Sequence, residues 1–533
     1  MERRTLLKLS AAGAALAAAA GESGAQALPQ TAPAEFELAG ASVADLQAAM
    51  QSGARTSAHL VQLYFARIDA VDRAGPAINA IIERNPDALA IAEGLDRERR
   101  DRGGRGPLHG IPVVLKDNID TADRMRTSAG SLSLAESIAA RDAFVAGRLR
   151  AAGCVVLGKA NLSEWANFRS SRSTSGWSGR GGQTRNPYAL DRNTSGSSSG
   201  SAAAVAADLC AIAVGTETDG SIVSPSSCCG LVGVKPTVGL VSRSGIVPIA
   251  HSQDTAGPMT RTVADAAVLL TAMAGADPRD AATAAGRGHA RDYTRSLAAA
   301  GLAGARIGVA RDLFGYNDRL DRVIEDAIAA MKSAGAIVVD PVRIANHDKL
   351  DASEMEVLLY EFKAGLDAYL RALGPGAAVH SLADVIAYNE RNAGREMPYF
   401  AQERLVDAQK KGPLTDAAYV KALARNRRLA RTDGIDATLA KHRLDAIVAP
   451  TGSPAWPTDY VNGDHSGGSA SQLPAVAGYP HITVPAGFVW GLPVGVSFFA
   501  GAYSEPSLFR LAYAFEQATK ARRAPSFLPS VAY

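Results

Sequence analysis

The spacing of apolar residues changes along this chain from helical to strand-like, and that change limits the folds open to it. From residue 42 to 102 apolar side chains recur at helical spacing: Leu46 and Met50, then Leu60, Leu63, Tyr64, Ile68 and Val71, then Ala88, Ala92 and Leu95. That pattern predicts two or three amphipathic helices. Past Gly106-Pro107, short apolar runs take over at 111–116, 154–157 and 211–214, with helical stretches at 142–151 and 201–209 between them. Further strand candidates follow at 306–310, 337–339, 446–449, 481–485 and 494–499. Strands alternating with helices predict an α/β fold whose mixed sheet is covered by helices on both faces. A chain of 533 residues has room for about three or four domains, or for one large one. Residues 28–533 read as a single large domain. Residues 353–442 are mostly helical and read as an insertion on that domain. Residues 28–37 are rich in proline and alanine and read as loose, and no repeat of 20–50 residues is present.

Composition excludes several classes. With 47% hydrophobic and 20% charged residues, the chain is not broadly disordered. A net charge of +3 supplies no general electrostatic reason to bind nucleic acid or acidic membranes. Four cysteines, of which Cys228 and Cys229 are adjacent, do not make a disulfide framework. Arg3-Arg4, an alanine-rich stretch to Ala20 and Ala25-Gln26-Ala27 read as a twin-arginine signal peptide over residues 1–27. The stretch is too short and too weakly apolar to span a membrane. The expected location is therefore periplasmic or secreted, after cleavage near Ala27.

Several motifs come close to known sites and fall short. Gly153-Cys-Val-Val-Leu-Gly158-Lys159 has the spacing of a phosphate-binding loop, but Ala160 stands where that loop needs Ser or Thr. Its apolar interior reads as a strand. Gly196-Ser197-Ser198-Ser199-Gly200 fits a nucleophile elbow with Ser198 as nucleophile, yet a polar, turn-rich segment precedes it where a strand is required. Seven histidines follow, none in a distinctive pattern. Neither H-E-x-x-H nor paired C-x-x-C occurs, so neither a metal nor another cofactor has sequence support. Ser-x-x-Lys is also missing, which excludes the β-lactamase arrangement.

The stretch that carries chemistry is 193–237, NTSGSSSGSAAAVAADLCAIAVGTETDGSIVSPSSCCGLVGVKPT. A cluster of hydroxyls is held between an alanine-rich helix, a short strand and a Gly/Ser turn, which sets it apart from a flexible linker. Hydroxyls without a histidine need another base, and a lysine serves only when burial lowers its pKa by several units. Lys116, closing the apolar run 111–116, is the best local candidate. The residues alone reach a hydrolase built on serine and lysine as one reading among others, and stop there.

A resemblance goes further. The 193–237 block resembles the signature of the amidase signature family, and Gly110-Ile-Pro-Val-Val-Leu-Lys116-Asp-Asn118 resembles its lysine motif. Gly158-Lys-Ala-Asn161-Leu-Ser-Glu164, Gln183-Thr-Arg-Asn186-Pro187 and Val484-Pro485-Ala-Gly487 are similar to further family motifs. The likeness runs from about residue 42 to the C-terminus and is weakest in the helical insertion. Within the family, Gly215-Thr-Glu-Thr-Asp-Gly-Ser221 is most similar to bacterial peptide amidases, which release ammonia from C-terminally amidated peptides. The resemblance implies a catalytic group of Lys116, Ser197 after a cis peptide bond, and Ser221 as nucleophile. It implies an oxyanion hole from the backbone N–H groups of Thr218, Asp219, Gly220 and Ser221, with Ser199 and Thr216 supporting the hydroxyl network.

Three departures stand out. The family often has Gly-Gly before the first serine pair where this chain has Ser195-Gly196, Gly where it has Asp219, and Asp where it has Glu217. An acidic Asp219 in the oxyanion turn is expected to narrow the substrate range while its backbone donor survives. The expected function is hydrolysis of a small amide or peptide amide by a serine acyl-enzyme, with no obligatory protein partner and no nucleic-acid partner. Alternatives are an aryl acylamidase or general amidase, the transamidating component of glutamyl-tRNA amidotransferase, which needs partner proteins, an esterase at Ser198 and a nucleotide binder at Lys159.

Overall fold

The computed structural model describes residues 36–531, so the twin-arginine segment and the cleavage site lie outside the described residues. Thirteen strands occur among them: β1 (Ile81–Arg84), β2 (Pro112–Lys116), β3 (Val155–Ala160), β4 (Trp177–Ser178), β5 (Gly182–Gln183), β6 (Ile212–Glu217), β7 (Val232–Lys235), β8 (Thr255–Thr260), β9 (Arg306–Ala310), β10 (Ile337–Val342), β11 (Ala446–Pro450), β12 (His481–Val489) and β13 (Leu492–Phe499). β4 and β5 form a small hairpin, and the other eleven make one sheet in the order β1-β3-β2-β6-β8-β7-β12-β13-β11-β9-β10. The sheet is mixed. β2 lies parallel to both β3 and β6, β9 lies parallel to both β10 and β11, and antiparallel pairs join β6 to β11 through β8, β7, β12 and β13. This is the large α/β domain that the alternation predicts, its sheet flanked by helices.

Seven of the interior strands, β2, β3, β6, β7, β8, β11 and β13, are buried along their whole length. Strands covered on both faces have no polar side to show, so they read as continuous apolar runs. Besides the two-residue strands of the hairpin, three strands of the large sheet depart from the expectation. β1 lies in the segment read as helical and is a four-residue edge strand, too short to display a period. β7 and β8 carry Gly233, Gly257 and Pro258, which argue against strand in a local reading. β7 pairs with β8 only at Met259 and Thr260, so Pro258 sits beyond the end of that ladder, where a missing N–H is tolerated.

The alanine-rich helix Ser199–Ala206 is buried at every position. Its small side chains let it approach the sheet closely. A Cβ on Gly200 would stand 2.4 Å from the Ala80 carbonyl oxygen and 2.5 Å from that of Asn161. Residues 353–442 are helical as expected, from Asp351–Ala372 to Ala437–His442. Leu358, Phe362, Leu366, Leu382 and Leu405 of this insertion share one apolar cluster with Trp165, Phe168, Val247 and Ile249. These helices therefore pack on the loops that carry Trp165, Phe168, Val247 and Ile249 and share an apolar core with them. Among the described residues no helix is long and apolar enough to cross a membrane.

Candidate active site

Lys116 ends β2 in the parallel part of the sheet and is fully buried. Its Nζ lies 2.8 Å from Ser197 Oγ, 2.9 Å from Thr216 Oγ1 and 3.2 Å from the Thr216 carbonyl oxygen. Burial lowers its pKa to about 7, against a smaller upward pull from Glu217 and Asp254. A neutral amine has two N–H donors and one lone pair. The Thr216 carbonyl can only accept, so the lone pair is left for a hydroxyl, and Ser197 provides one. Thr216 Oγ1 also accepts from Asn118 Nδ2 at 2.9 Å, which fixes the threonine hydroxyl beside the lysine.

Ser197 follows a cis Gly196–Ser197 peptide bond. Ser199 Oγ donates to the Ser195 carbonyl at 2.7 Å, and Asn193 Oδ1 accepts the Ser195 N–H at 2.7 Å. Ser199 thus braces the turn before Ser197 through its backbone, whereas the expectation placed it in the hydroxyl network. Thr216 sits in that network directly.

Ser221 closes the turn after β6. Gly220 holds φ +76, a left-handed conformation that glycine adopts at low cost. The Glu217 carboxylate accepts the N–H groups of Ile222 at 2.7 Å and Val223 at 3.0 Å, and that of Gly220 is turned toward it. Among the described residues the N–H groups of Thr218, Asp219 and Ser221 make no hydrogen bond within the protein. Uncommitted donors grouped beside a serine can stabilise an oxyanion. Ser198 N–H donates to the Ser221 carbonyl at 3.2 Å, tying the two serine turns together. Among the described residues no hydrogen bond joins the Ser197 and Ser221 hydroxyls. Catalytic contacts of this kind often close only when substrate binds.

Ser221 opens onto a cavity of about 260 Å³ lined also by Thr218, Asp219, Phe168, Ile249, Glu354 and Arg404. Four participants escaped the sequence reading. Asp254 accepts the Thr218 hydroxyl at 2.6 Å and the N–H groups of Ile249 and Ala250 at 2.9 Å, joining the oxyanion turn to the cavity wall. It stands there because antiparallel pairing sets Thr255 opposite Glu217. Asn118 lies within the lysine motif, where its signal was available. Glu354 and Arg404 come from the insertion and carry no motif.

The competing readings lose their geometry. Ser198 is fully buried and both donates to the Thr216 carbonyl and accepts its N–H, so no elbow presents it. Lys159 is buried in β3, donating to the Ile119 carbonyl at 2.6 Å and to Thr127 Oγ1 at 2.8 Å. It holds a loop of the protein in place of a phosphate. Among the described residues no group of three or more His, Cys, Asp or Glu is placed to hold a metal ion.

The chain is similar in sequence and fold to known proteins over most of its length. The family model described as Amidase covers residues 59–509. A probable amidase of Arabidopsis thaliana is 43% identical, across 92% of this chain and 93% of that protein. A putative amidase of Schizosaccharomyces pombe is 37% identical, across 92% of this chain and 87% of that one. The crystal structure of native peptide amidase from Stenotrophomonas maltophilia superposes with a TM-score of 0.89 at 54% identity, covering 92% of this chain and all of that one.

Proposed function

The chain belongs to the amidase family of hydrolases, and from that premise we propose that it hydrolyses carboxamide C–N bonds through a serine acyl-enzyme, with the C-terminal amide of a peptide as its substrate. The observation that carries the mechanism is the buried Lys116 amine 2.8 Å from Ser197 Oγ, with its pKa lowered to about 7. In this mechanism neutral Lys116 takes the Ser197 proton as Ser197 takes that of Ser221. Ser221 Oγ bonds to the amide carbon, and the uncommitted N–H groups of the 218–221 turn receive the developing oxyanion. Each such donor is typically worth about 3–4 kcal/mol. The proton returns through Ser197 to the leaving nitrogen, the C–N bond breaks and ammonia departs. Water then cleaves the Ser221 ester, leaving a free carboxylic acid.

The peptide substrate is supported by the 54% identity to the peptide amidase of Stenotrophomonas maltophilia. Ammonia release across peptide amides, aryl amides and small aliphatic amides tests it. A tripeptide amide hydrolysed no faster than propionamide refutes the peptide substrate. Anilides hydrolysed best make the enzyme an aryl acylamidase. Fluorophosphonate labelling followed by peptide mapping tests the nucleophile, with Ser221 the expected site. Export by Arg3-Arg4 and cleavage near Ala27, giving a periplasmic or secreted enzyme, is part of the same proposal.

A further inference from the structure

Two side chains facing the cavity beside Ser221 have hydrogen-bonding capacity that the protein leaves unused. Asp219, two residues before the nucleophile, has its Oδ1 without a hydrogen-bond partner among the described residues. Arg404, from the helical insertion, rests its guanidinium over the Phe168 ring at 5.5 Å. Among the described residues that guanidinium makes neither a hydrogen bond nor an ion pair within 4 Å, although Arg404 N–H donates to the Arg169 carbonyl. The third charged group of the cavity, Glu354, is already engaged. Its two oxygens accept from Gln253 Nε2 and Gln472 Nε2, each at 2.8 Å. The cavity wall thus offers one acceptor that the protein leaves unpaired, on a carboxyl otherwise held by Ser471, and one half-exposed donor fork that no protein group engages.

We propose that Asp219 and Arg404 form a subsite that reads the peptide backbone just upstream of the scissile carboxamide, Asp219 accepting the N–H of the terminal residue and Arg404 donating to the carbonyl before it. A backbone amide presents one donor and one acceptor, as this wall requires. A simple aliphatic amide presents neither on its acyl side. The charge state agrees with a neutral ligand. Burial, then the neighbouring Glu354, hold the Asp219 carboxyl well above the usual range, so it suits an uncharged N–H better than an ammonium group. Contacts remote from the reacting carbon raise kcat/KM by positioning the carbonyl.

This inference rests on the peptide-amide reading, and the experiment separates the two. Three substrates are compared by kcat/KM: N-acetyl-phenylalaninamide, its depsi analogue O-acetyl-phenyllactamide in which oxygen replaces the upstream N–H, and 3-phenylpropanamide, which lacks the upstream amide. The wild-type enzyme is expected to prefer the first over both others by tenfold or more. Equal rates on N-acetyl-phenylalaninamide and 3-phenylpropanamide would overturn the peptide-amide reading itself. Asp219→Gly is expected to bring the N–H and depsi substrates within about twofold of each other. Arg404→Met is expected to erase most of the preference over 3-phenylpropanamide. If the variants slow all three substrates by one common factor, or keep the wild-type preferences, the subsite assignment falls while the peptide-amide reading stands. A preference for free glutamine over the acetylated amide would overturn the assignment in favour of a zwitterion site. Asp219→Ala repeats the comparison if the glycine variant does not fold, and thermal unfolding of each variant confirms that folded protein was assayed.

Discussion

Lys116 Nζ lies 2.8 Å from Ser197 Oγ at the end of a fully buried strand, and the same nitrogen is held from its other side by Thr216. The lysine is anchored by the sheet and its partner by the turn before the helix Ser199–Ala206, so the pair forms only when the two pack together.

Removing either end of that relay should stop catalysis. Ser221→Ala is expected to abolish fluorophosphonate labelling and ammonia release. Lys116→Ala and Ser197→Ala should each lower kcat by on the order of 10²–10⁴, the usual contribution of a positioned base. Near-wild-type turnover by a folded Lys116→Ala variant would remove the lysine from the mechanism.

The pH dependence follows from the lysine. The neutral form is the base and burial sets its pKa at about 7, so log kcat/KM should fall with unit slope as pH drops below about 7. Stability is linked to the same group. Its folded pKa lies below its ordinary value of 10.5, so the unfolded chain binds the extra proton between about pH 7 and 10.5, and this group adds stability as pH rises through that window. Chemical denaturation of wild type against Lys116→Met should show a gap that changes across the window. A gap constant with pH would contradict a neutral buried amine.

Gly220→Ala should damage catalysis more than folding. The added Cβ meets Ser471 Oγ at 3.0 Å, and φ +76 disfavours any L side chain. A shifted turn misplaces the oxyanion donors, each typically worth about 10²–10³ in kcat. The expected loss in kcat is of that order, with a small change in the urea midpoint.

Arg169 should prove the most costly single ion to remove. It is fully buried, pairs with Glu164 at 2.8 Å, donates to the Glu396 and Phe400 carbonyls and lies over the Trp177 and Phe400 rings. Burial, countered by Arg169, already pushes Glu164 to about 8. Above about pH 8, where Glu164 is ionised, Arg169→Met strands that carboxylate and should cost roughly 3–5 kcal/mol of stability in equilibrium denaturation. A loss below about 1 kcal/mol would show the pair to be dispensable.

For the N-terminus, Arg3→Lys together with Arg4→Lys should retain the protein in the cytoplasm, and the exported form should begin near Leu28. Fractionation with N-terminal sequencing decides this, since Met1 on periplasmic protein counts against cleavage.

Much was legible in the sequence because its signals are local. Buried parallel strands need uninterrupted apolar residues, so 111–116, 154–157 and 211–214 announce β2, β3 and β6 to within a few residues. Lys116 can be singled out locally because it closes a buried apolar run, whereas Ser197 and Ser221 are picked from their neighbouring serines only by the resemblance to a family motif. What only the tertiary structure decided depends on pairing between distant segments. β8 shows no strand pattern, because Gly257 and Pro258 weaken any local strand signal and are held in the sheet by their pairing with Gly215 and Val214 of β6. Asp254 reaches the oxyanion turn only through the register of β6 on β8, and Glu354 and Arg404 reach Ser221 only because the insertion packs its apolar face on Phe168 and Ile249. A local pattern records what a residue's own backbone and burial require. It does not record which remote element will supply the opposite wall of a cavity, since that is settled by the packing of whole elements.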